Sequence, residues 1–73
     1  MKAVDRFEAD QVRLFNEKSP IGTAVRVYRG RRGYNAIETR TRTEAQLLSG
    51  HTAVVWVDGV AGCIALSHVD VLR

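Results

Sequence analysis

The sequence predicts an α+β fold in which an N-terminal helix precedes a small, strongly bent antiparallel β-sheet. Three observations support this class. Apolar side chains recur at helical spacing before Pro20, they alternate with a period of two after Ile21, and the pair Asp58-Gly59 separates two runs rich in β-branched residues. With 73 residues, of which 45% are hydrophobic, the chain (1–73) is expected to form a single small domain with a thin core.

The helix is predicted over residues 5–17. Asp5 and Glu8 have the spacing of a capping box, with aspartate in place of the usual serine or threonine. Acidic side chains in the first turn also favour the positive end of the helix dipole. The pair Ser19-Pro20 ends the helix, because proline lacks the N–H that a continuing helix requires.

Self-association as a symmetric homodimer is a further expectation. A domain of this size buries little apolar surface, and its one cysteine cannot form an internal disulfide. Either the first helix or an exposed sheet edge would supply the interface. The sequence leaves open whether the helix packs on its own sheet or on a partner. The helical residues assigned to this role are Phe7, Leu14 and Phe15.

Residues 21–72 carry the pattern of a β module. In the segment 23–29, two valines alternate with Arg26 and Tyr28, which predicts a half-buried strand with a basic and aromatic outer face. A short strand is predicted at residues 36–40. If the two strands pair, their arginines share the outer face of the sheet.

A second capping-box pattern predicts one or two helical turns between the strands. The pattern fits Thr41-Arg42-Thr43-Glu44, and the register from Thr43 to Gln46 fits equally well. Ser49-Gly50 follows, with glycine in its usual place after a helix C-terminus.

The clearest hairpin signal lies between the strands predicted at 52–57 and 60–66. Asp58-Gly59 joins them, and this dipeptide favours a two-residue hairpin turn that needs positive φ angles. Residues 67–72 are predicted as a short turn and a last edge strand. Most of the core is assigned to eight apolar residues: Val25, Val27, Ile37, Leu47, Val55, Val57, Ile64 and Leu66.

Positive charge is concentrated in one part of the chain. The formal net charge is +3, but residues 26–42 hold six arginines against Glu38, a local balance of +5. Such a patch attracts phosphate-rich or acidic partners. Gly30 and Gly33 favour a mobile turn within it. The predicted binding residues are Arg26, Tyr28, Arg29, Arg31, Arg32, Tyr34, Arg40 and Arg42.

The order of these elements resembles a small SH3-like barrel. A starting glycine, a basic strand, a variable loop, the hairpin around Asp58-Gly59 and the closing run Ala65-Leu66-Ser67-His68-Val69-Asp70-Val71-Leu72 carry the resemblance. The tail, residues 57–72, is similar to the last two strands and 3₁₀ turn of Tudor- or KOW-type modules, and the resemblance as a whole covers residues 21–72. The resemblance implies binding of nucleic acid or peptides. The whole chain also resembles short bacteriophage and plasmid proteins, which implies no particular activity.

Two functions follow from the patch. The first is a nucleic-acid-binding module, in which arginines contact the backbone and tyrosines stack on unpaired bases. No base-reading helix is predicted, so low sequence specificity is expected. The second is a protein-interaction module, such as a small inhibitor or adaptor from a mobile element, whose patch meets an acidic protein surface. Arginine and tyrosine serve both functions, and the presence of only two lysines slightly favours the second.

Enzymatic activity is not expected from this sequence. His51 and His68 are isolated, and Cys63 lies in an apolar run where cysteine usually packs inertly, so neither a metal, a cofactor nor a thiol nucleophile is predicted. The segment from Gly30 to Gly33 lacks the lysine–hydroxyl pair of a phosphate-binding loop. Without a signal peptide or a membrane-spanning run, and with an unpaired cysteine, the expected location is the cytoplasm.

Overall fold

The computed structural model describes residues 6–31 and 33–72. A helix precedes six short strands, so the α+β class is confirmed. The predicted helix 5–17 is observed one residue later, while Asp5 of its capping box lies outside the described residues. The elements are α1 Arg6–Lys18, β1 Ala24–Tyr28, β2 Ala36–Arg40, β3 Gln46–Leu48, β4 Thr52–Val55, β5 Ile64–Ala65, a 3₁₀ turn Leu66–His68 and β6 Val69–Val71.

The strands form two antiparallel three-stranded sheets, ordered β2-β1-β6 and β3-β4-β5. β1 lies at the centre of the first sheet, pairing with β2 on one side and with β6 on the other. The predicted turn and last edge strand are confirmed as the 3₁₀ turn and β6. A bridge between Thr41 and Val57 joins the end of β2 to the segment after β4, and neither sheet is closed.

The helical turn predicted between Thr41 and Gly50 is wrong. The segment instead forms β3, which pairs with β4 from Gln46 opposite Val54 to Leu48 opposite Thr52. The run before Gly50 is too short to compensate the cost of nucleating a helix, whereas strand pairing adds hydrogen bonds at once. Ser49 (φ 53°) and Gly50 (φ 74°) form the tight turn of this hairpin.

The hairpin predicted at Asp58-Gly59 is only partly correct. A turn does occur there, with Gly59 at φ 80°. The flanking strands nevertheless pair farther out, with Val55 opposite Ile64, so residues 56–63 form a wide connection. The reason is competition from β2: the Asp58 N–H donates to the carbonyl of Arg40 over 3.0 Å, which draws this segment to the other sheet.

The core contains most of the predicted residues. Val25, Val27, Val55, Val57 and Ile64 are buried in one cluster, and two further predicted side chains, those of Ile37 and Leu66, pack against it. The eighth, Leu47, is half-buried on β3. Two further cluster members, Ala45 and Val60, were not predicted. Ala45 had been assigned to a helical turn, and Val60 to a position next to a turn.

Helix α1 docks on β3 and β4 through apolar side chains and through polar contacts to backbone groups. No side chain of its described residues is fully buried, although Val12 and Phe15 pack against the core. The Asn16 side chain donates to the Ala45 carbonyl (3.1 Å) and accepts from the Ala45 N–H (2.8 Å). The Glu8 carboxylate accepts from the Ala53 N–H over 2.9 Å. No helix among residues 6–31 and 33–72 combines the length and the apolar character that a membrane span requires.

Candidate functional site

The candidate site is centred on the loop that connects β1 to β2, and its described residues, 29–31 and 33–35, are called the tip loop. Gly33 (φ 92°) and Asn35 (φ 54°) adopt left-handed conformations, which glycine and asparagine tolerate best. The Tyr34 N–H donates to the Arg31 carbonyl over 3.1 Å and closes the turn. The paired strands therefore present a short, exposed loop at one end of the sheet, as the glycines predicted.

Three of the predicted binding side chains lie exposed on this loop. The guanidinium carbon of Arg31 lies 5.4 Å from the centroid of the Tyr34 ring, a cation–π arrangement. Tyr34 is 60% exposed, and Arg29 is exposed at the end of β1. Arg32, also predicted for the site, lies outside the described residues. Among the residues that are described, no carboxylate forms an ion pair with Arg29 or Arg31.

The outer face of the first sheet carries a different part of the predicted patch. The register places Arg26 and Tyr28 on the same face as Arg40, as expected. Arg26, however, donates to the Glu38 carboxylate over 2.7 Å, which raises the pKa of Arg26 above its ordinary value. On its other side Arg26 lies opposite Asp70, which accepts a 3.0 Å hydrogen bond from the Tyr28 hydroxyl. Two acids thus offset the basic charge of this face.

The two remaining arginines hold backbone segments in place. The Arg40 guanidinium donates to the Gly22 carbonyl over 2.9 Å, and the Arg42 Nε donates to the Val57 carbonyl over 3.1 Å. Both side chains remain exposed and keep further N–H donors. They add positive charge beside the sheet, but these hydrogen bonds fix the position of each guanidinium group.

An open, shallow groove adjoins the tip loop. Its lining combines a guanidinium, an amide and a small apolar floor: Arg29, Gly30, Asn35, Ala36 and Ile37. Such a surface offers an anionic group a charged partner and offers a flat ring an apolar contact.

A second groove lies between α1 and the last strand. The helix contributes Leu14, Phe15 and Lys18 to it, and the 3₁₀ turn and β6 contribute Leu66, Val69 and Val71. Of the helical residues assigned to self-association, Leu14 is 38% exposed and Phe7 is 68% exposed. Phe15 packs partly against the core while also lining the groove.

Groupings that could bind a metal ion are not found in the part of the chain that the structure describes. Over residues 6–31 and 33–72, no group of three or more His, Cys, Asp or Glu side chains is placed to hold a metal ion. Cys63 is a half-buried free thiol.

Only one of the two acids that offset the patch has a local signal in the sequence. Glu38 was visible as the one acid among six arginines, and the period-two pattern of β1 and β2 supplies the signal that would have placed it beside Arg26. Asp70 had no such signal, because only long-range pairing of β6 brings it to this face.

Comparison with models of protein families, with curated proteins and with solved structures gave no match to the chain.

Proposed function

We propose that this chain is a small, non-enzymatic binding module that holds nucleic acid with low sequence specificity through the tip loop. The proposal rests on a difference among the arginines of the patch: some have partners within the protein and others do not have a described acid partner. Arg26 is paired with an acid, and Arg40 and Arg42 donate to backbone carbonyls. The tip loop instead exposes Arg29 and Arg31 without an acid partner among the described residues.

Phosphate is the group that this arrangement suits best. A guanidinium presents planar donors that match phosphate oxygens, and it remains charged at every physiological pH. Arg29 and Arg31 lie in a glycine-containing loop, so both can adjust to an irregular backbone. Arg40 and Arg42 extend the positive potential along the sheet without needing direct contact.

The Tyr34 ring favours ligands that present an unpaired base. The ring is exposed beside Arg31, and base-on-aromatic stacking tolerates any sequence because every base has a flat face. The only described α-helix, α1, packs against the second sheet on β3 and β4 and carries no part of the patch. Contacts to backbone and base faces, without groove reading by a helix, give low specificity.

The proposal includes an SH3-like arrangement of the two sheets. The bridge from Thr41 to Val57 connects them, and β6 returns onto β1 directly after a 3₁₀ turn. Both features support a small barrel in which the loop between β1 and β2 is free to contact a ligand.

Replacing Arg29 and Arg31 together with alanine is expected to weaken binding to a single-stranded oligonucleotide. Each lost phosphate contact removes one released counterion, so the slope of log affinity against log salt should fall by up to about two units. Fluorescence anisotropy across a salt series measures this slope.

The matched control is the double replacement of Arg6 and Lys18 with alanine on α1, since neither cation pairs with a described carboxylate, whereas Arg13 pairs with Asp10 and Glu17. It removes the same net charge from exposed positions away from the tip loop. Equal losses of slope in both variants would show that only net charge matters, and the tip loop would then not be the site. If the unmodified protein binds no nucleic acid at low salt, the patch serves an acidic protein surface instead.

Replacing Tyr34 with alanine is expected to weaken binding of single strands more than of duplex. Stacking on an aromatic side chain contributes about 1–3 kcal/mol per base and requires a base that is not already paired. Tyr34→Phe keeps the ring and should retain most of the affinity. Equal affinities of the alanine and phenylalanine variants for a single strand would exclude stacking.

A further inference from the structure

Glu38 interrupts a row of arginines that leads away from the tip loop. The register of β1 and β2 places Arg26, Glu38 and Arg40 on the outer face of the first sheet. Arg29, in the tip loop, follows Arg26 by three residues, a distance of about 10 Å at the rise of a β-strand. Glu38 lies directly opposite Arg26, between the tip loop and Arg40. Without this acid, basic side chains would follow one another from Arg29 to Arg40.

The ion pair between Arg26 and Glu38 is close and accessible. The guanidinium donates to the carboxylate over 2.7 Å, which is shorter than either ion pair of Arg13 on α1, at 3.4 Å. The Arg26 side chain is 41% exposed and that of Glu38 is 62% exposed. A phosphate can therefore approach the pair from solvent, but it meets no net positive charge there. The carboxylate occupies donors of Arg26 and repels a phosphate at the same place.

The tip loop offers a different route to a bound strand. Arg29 and Arg31 have no acid partner among the described residues, and the open groove beside the loop is lined by Ala36 and Ile37. Ile37 packs against the core, so it lies on the face of β2 opposite to Glu38. Charge and shape together direct a ligand from the tip loop into this groove and away from the outer face.

We infer that Glu38 limits the ligand to a short unpaired segment of nucleic acid, such as a loop, a bulge or a strand end, by keeping Arg26 out of the site. This inference rests on the proposed function, because it concerns the length of the same ligand. Glu38 is thus a positioning residue that acts through Arg26. Phosphates of a stacked strand lie about 3.4 Å apart, so the distance from Arg29 to Arg26 corresponds to about three nucleotides.

Replacing Glu38 with glutamine is expected to strengthen binding. Glutamine keeps the size of the side chain and removes its charge, so the Arg26 guanidinium becomes available to a phosphate. The affinity for an oligothymidylate of about ten nucleotides should rise about three- to tenfold at low salt, as expected for one added charge-assisted contact. The slope of log affinity against log salt should become steeper by about one unit. Partial loss of folding cannot produce such a gain.

Oligothymidylates of increasing length locate the end of the site. The affinity of the unmodified protein, corrected for the number of registers that a longer strand offers, should stop rising once the tip loop is filled. The affinity of the Glu38→Gln variant should continue to rise over about three more nucleotides. If both proteins reach their full affinity at the same length, Glu38 does not limit the site and the inference is wrong.

Glu17→Gln is the matched control. It removes the same charge and releases one ion pair of an exposed arginine, Arg13, on α1. Its affinity should exceed that of the unmodified protein by much less than the affinity of Glu38→Gln does. Equal gains in the two variants would show that net charge alone sets the affinity, and the inference would be overturned.

A double variant tests whether Glu38 acts through Arg26. Arg26→Ala combined with Glu38→Gln has the same net charge as the unmodified chain, and it should match the affinity and salt slope of that chain within about twofold. Circular dichroism checks that it is folded. A double variant that keeps the full gain of Glu38→Gln would contradict the inference.

Failure of this inference is distinguishable from failure of the proposed function. Binding that is weakened by replacing Arg29 and Arg31 but is unaffected by replacing Glu38 would overturn the inference and leave the proposed function intact. An unmodified protein that binds no oligothymidylate at low salt would overturn both.

Discussion

Replacing Ile64 with alanine is expected to lower the free energy of unfolding by about 2–5 kcal/mol. Ile64 is 8% exposed and belongs to the core cluster, whose members come from both sheets. Removing three buried carbon atoms loses their transfer free energy and leaves a cavity that a short strand cannot close. In a domain of this size, such a loss is a large part of the total stability.

Chemical denaturation of the variant and of a matched control measures this effect. Ile21→Ala removes the same atoms from a side chain that is 60% exposed, and its effect should stay within about 0.5 kcal/mol. If the two variants unfold at the same denaturant concentration, Ile64 does not lie in the core and the packing of β5 is wrong.

Replacing Asn16 with leucine should cost about 2 kcal/mol or more. The Asn16 side chain bonds both the N–H and the carbonyl of Ala45, which is only 4% exposed, so water cannot easily replace either bond. A buried backbone group left unsatisfied costs about 1–3 kcal/mol. Leucine has a similar size and a better helix propensity, so the loss reports the hydrogen bonds rather than the helix.

Hydrogen exchange of the Ala45 amide distinguishes this cause from a general loss of stability. Its exchange should accelerate more than that of amides in β1. Glu17→Gln is the control, because Glu17 neighbours Asn16 but makes only an exposed 3.4 Å ion pair with Arg13, which contributes less than about 1 kcal/mol. An Ala45 amide that remains as protected as in the unmodified chain would contradict the role of Asn16.

Elements with local signals could be predicted from the sequence. Proline fixes the end of α1, and strict alternation places β1 and β2 within a residue of their observed bounds. The other elements depend on pairing between strands that are far apart in sequence. Residues 46–48 form a strand because β4 lies beside them, and Asp58 turns away from its predicted hairpin because β2 competes for its N–H.

The candidate site was predicted as a set of residue types but not as a geometry. Alternation placed Arg26 on the outer face correctly, and the glycines indicated the exposed loop. The division of the patch could be predicted only in part. Glu38 has a local signal, but Asp70 comes from β6 and Arg42 donates to the distant Val57 carbonyl. Such contacts join segments far apart in sequence, and no local pattern records them.

The most direct test of nucleic-acid binding by the tip loop is a titration of the isotope-labelled protein with a single-stranded oligonucleotide at low salt, followed by backbone amide spectra. We expect saturable shifts at residues 29–31 and 33–35, smaller shifts along β1 and β2, and unchanged amides in α1. The shifts should diminish as salt is added, because the release of condensed counterions from the phosphates is then less favourable. Spectra that do not change at low salt, or shifts confined to α1 and β6, would contradict the proposal.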